Sequence, residues 1–400
     1  MKALYFENKL GNIVALKIAS RFTKNAAFAP FSPFKYAEVK EPEIPNPRWL
    51  KVKNRACGIC GSDIHFIFMD MDTKCFPAAT PGISRKYLGH EMVGEIIELG
   101  TGVAGFAVGD RVSLRIEWPS CFQMEINPPC RQCAVGNYML CENLGRKQLP
   151  TMDTGGGFSP YMVMHMSQPY KVPNSLSDGE AVLLEPTACV VHAVMKQLPK
   201  PGDKVLVIGA GTIGLLTVAV ARALQPNAEI YCLARYPFQA EMATKFGARD
   251  VIFDNENAYQ RAAEITNAKY FAGYFKNRIL LGGFDIIYDA VGSDRTIQNA
   301  LRWVRGKGTV VILGINFQPG RIDYTPVWHQ EIKVTGINCH ATEYNGKTSF
   351  DLAARLLADK KVNIEEMITH RFPLEKYREA IKTFLSKGKN KAIKIVIQHS

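Results

Sequence analysis

A chain of 400 residues is longer than one hydrophobic core usually grows, so two domains are expected. Its 47% apolar and 22% charged residues exclude a disordered or fibrous chain, and no apolar run approaches the ~20 residues needed to span a bilayer. The net charge of +12 is scattered, and its densest run, Lys387 to Lys394, is short and interrupted, so no nucleic-acid partner is expected.

The opening MKALYFENKL carries a short apolar patch broken by Glu7 and no small-residue cleavage pattern, which does not read as an export signal. Ten cysteines in such a chain point to metal ligands or buried thiols in a cytoplasmic protein. Residues 12–33 carry a basic amphipathic pattern, with Lys17, Arg21 and Lys24 along one helical face. A solvated polar face is the favoured reading over a membrane or partner contact, and no membrane partner is expected. YAEVKEPEIP, WLKVKNRACG and MVGEIIELG alternate as strands do, with turn residues between them.

After Pro201 the pattern changes. KVLVIGAG, TIGLLTVAVARALQ, EIYCLA and FQAEMATKFGA read as strand, helix, strand, helix, and FDIIYDAVG, TIQNALRWVR and GTVVILGI repeat the alternation. Continuous apolar strands alternating with helices predict a parallel sheet covered on both faces. Past residue 338 the alternation stops: FDLAARLLADKKV predicts an amphipathic helix, HRFPLEKYREAIKTFLSKG a strand, turn and helix, and KAIKIVIQ a final strand. The expected α/β architecture is a β-rich domain over 1–187, a doubly wound domain over 188–338, and a return to the first domain over 339–400. Segments 66–87 (Phe66, Phe68, Phe76) and 257–281 (Tyr270, Phe271, Tyr274, Phe275) are aromatic additions suited to packing or an oligomer contact.

Gly209-Ala210-Gly211-Thr212-Ile213-Gly214 follows a strand and opens a helix, the context that makes a GxGxxG string informative. Gly209 permits the tight turn, Gly211 lets the backbone approach a pyrophosphate, and Gly214 allows close helix–sheet packing. The N–H groups of the helix start suit phosphates. An acid about 20 residues beyond the motif would bind the ribose hydroxyls of NAD. Ala234 and Arg235 stand there instead, which favours NADP, with a solvated surface arginine as the competing reading.

Two constellations suit metals. Cys57, Cys60, Ser62, Asp63 and His65 lie in one run and Gly89-His90-Glu91 in another, offering thiolate, imidazole and carboxylate from separate strands. A redox C-x-x-C reading of Cys57 and Cys60 is disfavoured by Gly58 and Gly61, and Cys57 alone reads as a buried small hydrophobe. Cys121, Cys130, Cys133 and Cys141 fit a closed tetrahedral site in a Gly/Pro-rich lobe, with a long gap between the first two.

Taken together, ACGICGSDIH, LGHEMVGEI, VGDRV, the cysteine lobe, LLEPTACVVHA, GAGTIG, DAVG, LGI and ITHRFPLEKYREAI resemble the zinc-dependent medium-chain dehydrogenase/reductase family, over nearly the whole chain. The resemblance implies a GroES-like catalytic domain joined to a Rossmann domain. It implies a catalytic zinc on Cys60 and His90 with an acidic ligand at Glu185, and Glu91 either ligating or exchanging with water or substrate. Asp63 then orients His90, Ser62 and His65 relay protons, and Leu313 and Gly314 join the dinucleotide site. Cys121, Cys130, Cys133 and Cys141 become the structural zinc ligands, although the insertion after Cys121 departs from the family pattern. Homodimers or homotetramers are usual in the family. The implied activity is hydride transfer between NAD(P), NADP favoured, and an alcohol, polyol or sugar hydroxyl or its carbonyl. Glu185 tilts the choice towards polyols. A zinc-independent quinone or enoyl reductase would lack the ligands Cys60, His90, Glu91 and Glu185, and a silent zinc and nucleotide-binding protein would not need Ser62 and His65.

Overall fold

The structure is a computed structural model and describes residues 1–79, 84–343, 346–361 and 363–399. It divides into two compact units, Met1–Glu185 with Ile368–Ser400, and Pro186–Met367. Residues 339–367 therefore fall in the second unit rather than the first. The strand–helix alternation ends at 338 because no further strand among the described residues joins the sheet, yet the chain stays with that unit: Glu343 pairs with His192 at 2.8 Å and accepts the Ser349 hydroxyl at 2.6 Å.

In the first unit the strand Trp49–Gly58 is central. It pairs antiparallel with Glu91–Leu99, Tyr161–His165 and Lys394–Gln398, so the last strand of the chain lies beside one of the first. Ile368–Pro373 extends the sheet beyond Lys394–Gln398, and Arg111–Leu114 and Pro169–Lys171 extend it beyond Glu91–Leu99. Alternation along Trp49–Gly58 sends Leu50 and Val52 into a core with Met92, Ile96 and Val112. The strand expected over YAEVKEPEIP covers only Phe34–Glu38, because Pro42 and Pro45 cannot donate to a ladder. Phe66 and Phe68 pack against Phe6 and Phe28, whereas Phe76 is exposed; residues 80–83 of that addition lie outside the described residues.

The helix Leu10–Ala19 does not show the expected polar face. Leu16 is its one buried residue, and Leu10, Val14 and Ile18 are exposed. No helix among the described residues is long and apolar enough to cross a membrane.

The second unit is a six-stranded sheet. Its strands run, across the sheet, Asp250–Phe253, Glu229–Ala234, Lys204–Ile208, Phe284–Asp289, Val304–Ile312 and Lys333–Gly336, all parallel. This 3-2-1-4-5-6 order reverses direction between Lys204–Ile208 and Phe284–Asp289, and ligands of doubly wound sheets bind beyond the carboxyl ends at such a switch point. The addition at 257–281 forms the helix Ala258–Thr266 and the hairpin Lys269–Ala272 with Arg278–Leu281, whose tip exposes Tyr274 and Phe275.

Candidate active site

Cys60 stands immediately before the helix Gly61–Phe68, just after the central strand. His90 and Glu91 stand at the start of the neighbouring strand, whose register sets Glu91 opposite Gly58. Gly89 has φ +87°, and a Cβ there would strike Phe158 and the Cys57 sulfur, so only glycine makes the turn that presents His90. The ligand atoms of Cys60, His90 and Glu91 all lie within 4.8 Å of one another. Glu185, in the first turn of the helix Leu184–Lys196, is buried but is not one of that converging group.

Asp63 fastens the two segments together. One carboxylate oxygen accepts the Cys60 N–H at 3.0 Å, and the other accepts the Gly89 N–H at 3.2 Å and lies 3.8 Å from His90 Nδ1. Burial raises its carboxyl above the usual range, although His90 and the Cys60 N–H pull the other way. Burial disfavours a charged His90 as well, but Glu117, Cys60 and Asp63 together outweigh it and hold its imidazole well above the ordinary value. Cys57 is fully buried, and burial pushes its thiol far up, which suits an inert core residue and not a redox thiol.

Two partners were not legible in the sequence. Lys394 is 2% exposed and forms an ion pair with Glu91, while its ammonium also donates to the Ile59 carbonyl at 3.1 Å. A lysine inside the apolar run KAIKIVIQ is the only signal that could have marked it. Glu117 lies 3.7 Å from His90 Nδ1 and 2.7 Å from the Lys86 ammonium, which sits 3.7 Å above the Trp118 ring and 4.7 Å from that of Phe66. Lys86, Glu117 and Trp118 line a recess with Gln123, Met152 and Thr154.

Ser62 and His65 are three residues apart on the helix Gly61–Phe68, hence on one face, and both are half-buried. His65 Nδ1 lies 2.6 Å from Asp70 Oδ1, a second carboxylate that sequence reasoning missed.

The cysteine lobe gathers its four thiols. Cys121, Cys130, Cys133 and Cys141 place their sulfurs within 4.8 Å of one another, so the long gap after Cys121 is a loop that returns to the cluster. The Cys121 sulfur accepts the Cys130 N–H at 3.3 Å and the Asn143 amide at 3.2 Å, and the Cys130 sulfur accepts the Cys133 N–H at 3.5 Å. Burial works against a Cys130 thiolate, but the N–H groups of Cys133 and Glu142 overcome it and bring the pKa down to about 6. Four convergent sulfurs, one already biased to thiolate and backed by N–H donors, fit a tetrahedral zinc.

In the second unit Gly209 has φ +96° directly after the strand Lys204–Ile208, and a Cβ on Gly214 would collide with the Gly209 carbonyl. Gly211 precedes the helix Thr212–Leu224, which opens with Thr212 and Ile213. Leu313 and Gly314 end the neighbouring turn, both N–H groups donating to the Asp289 carbonyl at 2.9 Å. Arg235 is exposed after the strand Glu229–Ala234. Asp254, at the end of the next strand, is held by Arg295 through two contacts of 2.6 and 2.7 Å. That guanidinium keeps its carboxyl below the usual range.

Family models agree with this geometry. Residues 46–174 match an alcohol dehydrogenase GroES-like domain, and residues 212–358 match a zinc-binding dehydrogenase domain. The chain belongs to the zinc-dependent medium-chain alcohol and polyol dehydrogenase family. A sorbitol dehydrogenase of Halalkalibacterium halodurans is 30% identical to this dehydrogenase over 365 residues, covering 90% of this chain and 95% of the relative. D-arabinitol dehydrogenase 1 of Uromyces fabae is 27% identical over 344 residues, covering 84% and 86%. In fold, the dehydrogenase is similar to 2R,3R-butanediol dehydrogenase from Bacillus subtilis, with a TM-score of 0.73 at 23% identity over 100% of this chain and 99% of that one. Galactitol-1-phosphate dehydrogenase from Escherichia coli gives a TM-score of 0.73 at 22% identity, covering 100% of both chains.

Proposed function

We propose that this dehydrogenase exchanges a hydride between a hydroxyl of a polyol or sugar and a nicotinamide dinucleotide, with NADP preferred. The convergence of one thiolate, one imidazole and one carboxylate at Cys60, His90 and Glu91 carries the reading, and the sorbitol and arabinitol dehydrogenases among the relatives support the polyol class. Cys60, His90 and Glu91, whose donor atoms converge, would hold the catalytic zinc, with Glu185, outside that converging group, as the acidic ligand the family resemblance alone implies; the mixed sulfur, nitrogen and oxygen donor set fits that metal. When bound, zinc supplies Lewis-acid polarisation of the substrate oxygen and the dinucleotide a hydride acceptor.

The chain's own residues supply the rest. Asp63 fixes the His90 ring by holding the Gly89 turn. Lys394 pairs with Glu91, so the buried carboxylate beside the Cys60 sulfur has its charge compensated. Ser62 accepts the substrate hydroxyl proton and His65, steadied by Asp70, passes it on; Glu185 with a water is the alternative route. The Lys86–Glu117 pair presents both signs of charge at the recess, which suits a hydroxyl-rich substrate over an alkyl one. The cysteine lobe would hold a second, structural zinc.

NADP preference rests on Ala234 and the exposed Arg235 at the strand end, and on Asp254 being committed to Arg295. A panel of sorbitol, xylitol, 2,3-butanediol and simple primary alcohols, run with both dinucleotides on zinc-replete protein, tests both points. The expected result is the highest kcat/KM for a polyol with NADP, and a shift of the NADP/NAD ratio towards NAD by at least about tenfold in Ala234→Asp. Best turnover with a simple primary alcohol would remove the substrate assignment, and a wild-type ratio favouring NAD the cofactor assignment.

A further inference from the structure

The helix Leu10–Ala19 presents an apolar ridge to solvent. Leu10, Val14 and Ile18 recur one turn apart and are 76%, 48% and 56% exposed, and Phe22 in the following turn is 85% exposed. The helix cannot roll to hide them. Leu16 on its opposite side is fully buried in the core, Ala19 packs there too, and the Lys17 ammonium donates to the Met71 carbonyl at 2.8 Å. Three large apolar groups aligned in this way, with an exposed phenylalanine in the turn that follows, are not the singly scattered exposed residues of an ordinary surface.

Within its own segment the ridge carries charge of one sign. From residue 8 to residue 37 the chain carries Lys9, Lys17, Arg21, Lys24 and Lys35 and no acidic residue. Lys9 is paired with Glu7. Arg21 and Lys24, flanking Phe22, are exposed and have no acidic partner among the described residues. An apolar ridge with cations at its margin matches an anionic lipid surface, where apolar groups enter the acyl boundary and the bases stay at the headgroups.

We propose that this helix is a docking surface for an anionic lipid bilayer. A second copy of the chain is disfavoured because an acid-free segment laid on its twin sets like charges together. A groove in an acidic protein must wrap a ridge whose other side is buried in the core, whereas a bilayer needs only the exposed side.

The test is co-sedimentation of the zinc-loaded full chain with vesicles of phosphatidylcholine alone and of phosphatidylcholine with phosphatidylserine. Binding to the anionic vesicles at least about tenfold tighter than to the neutral ones is expected, weakening as salt is raised. Leu10→Asp/Ile18→Asp/Phe22→Asp and, separately, Arg21→Glu/Lys24→Glu should each lower that binding about tenfold, leaving dehydrogenase activity and thermal midpoint unchanged. Absence of binding to either vesicle, or undiminished binding of the triple variant, would overturn the proposal. So would a concentration-dependent increase in mass that the triple variant abolishes without any vesicle binding, since a second copy would then cover the ridge.

Discussion

Lys394 and Glu91 are 303 residues apart and meet in a space where each is almost fully buried. Removing one partner leaves the other charge without compensation, whereas removing both is far milder. Lys394→Met should therefore cost about 3–5 kcal/mol in chemical denaturation, and Lys394→Met/Glu91→Gln should recover most of it. Additive losses in that cycle would mean the pair is not coupled. Lys387 gives the complementary case of a largely buried amine with no carboxylate partner among the described residues: burial, then Lys394, push its pKa down to about 8 from 10.5, against the pull of Cys60. Between those values the unfolded chain binds the extra proton, so the stability due to this group rises as pH climbs from about 8 to 10.5. Below pH 8 the penalty of burying the charge is present in full. Lys387→Met should then be more stable than the parent at pH 7, with the gap closing through that window; denaturant midpoints measured across it check this, and a constant gap would contradict it. Neither lysine was legible as a site residue: Lys394 acquires its role from a pairing far along the chain, and Lys387 from its burial in the folded chain.

Elements were legible to the extent that their signals are local. The strand, glycine turn and helix around Gly209 to Gly214 occupy one continuous segment, and the structure has that arrangement. Cys57, Cys60, His90 and Glu91 announced themselves by residue type, but Glu117 and Asp70 did not, since an acid in a loop has no periodicity to betray it. The cysteine lobe lies between these extremes: its four thiols were visible, but whether residues 122–129 return Cys121 to the cluster depends on loop closure, which grows only slowly in cost with length. Helix Arg131–Ala134 is a single turn, and little of the lobe is buried, so a metal rather than a core should hold it. Cys121→Ser is expected to lose one zinc per chain by elemental analysis and to expose residues 122–140 to protease, while the catalytic zinc stays. Unchanged zinc content together with unchanged protease resistance would show that Cys121 is not needed to hold metal or shape in the lobe.

The two units differ in how the chain builds them, and the consequence reaches the whole molecule. Pro186–Met367 is one continuous stretch with its own parallel sheet and core, whereas the first unit needs both ends of the chain. The strand Lys394–Gln398 pairs with Ala56, Cys57 and Gly58, the residues just ahead of Cys60, and it delivers Lys394 to Glu91. Periodicity alone located that last strand but could not name its partner, because antiparallel pairing across more than 300 residues leaves no local trace. Deleting residues 391–399 uncovers an edge of the central strand and leaves Glu91 a buried, unpaired charge. The first unit should then lose its hydrogen-exchange protection and the Cys60–His90 site its zinc. The second unit should keep its protection and its capacity to bind the dinucleotide, read by quenching of the tryptophan fluorescence of Trp303 and Trp328. Loss of protection in both units together would show that the sheet of Pro186–Met367 depends on the first unit for its stability, since none of its own strands or core residues is removed by the deletion.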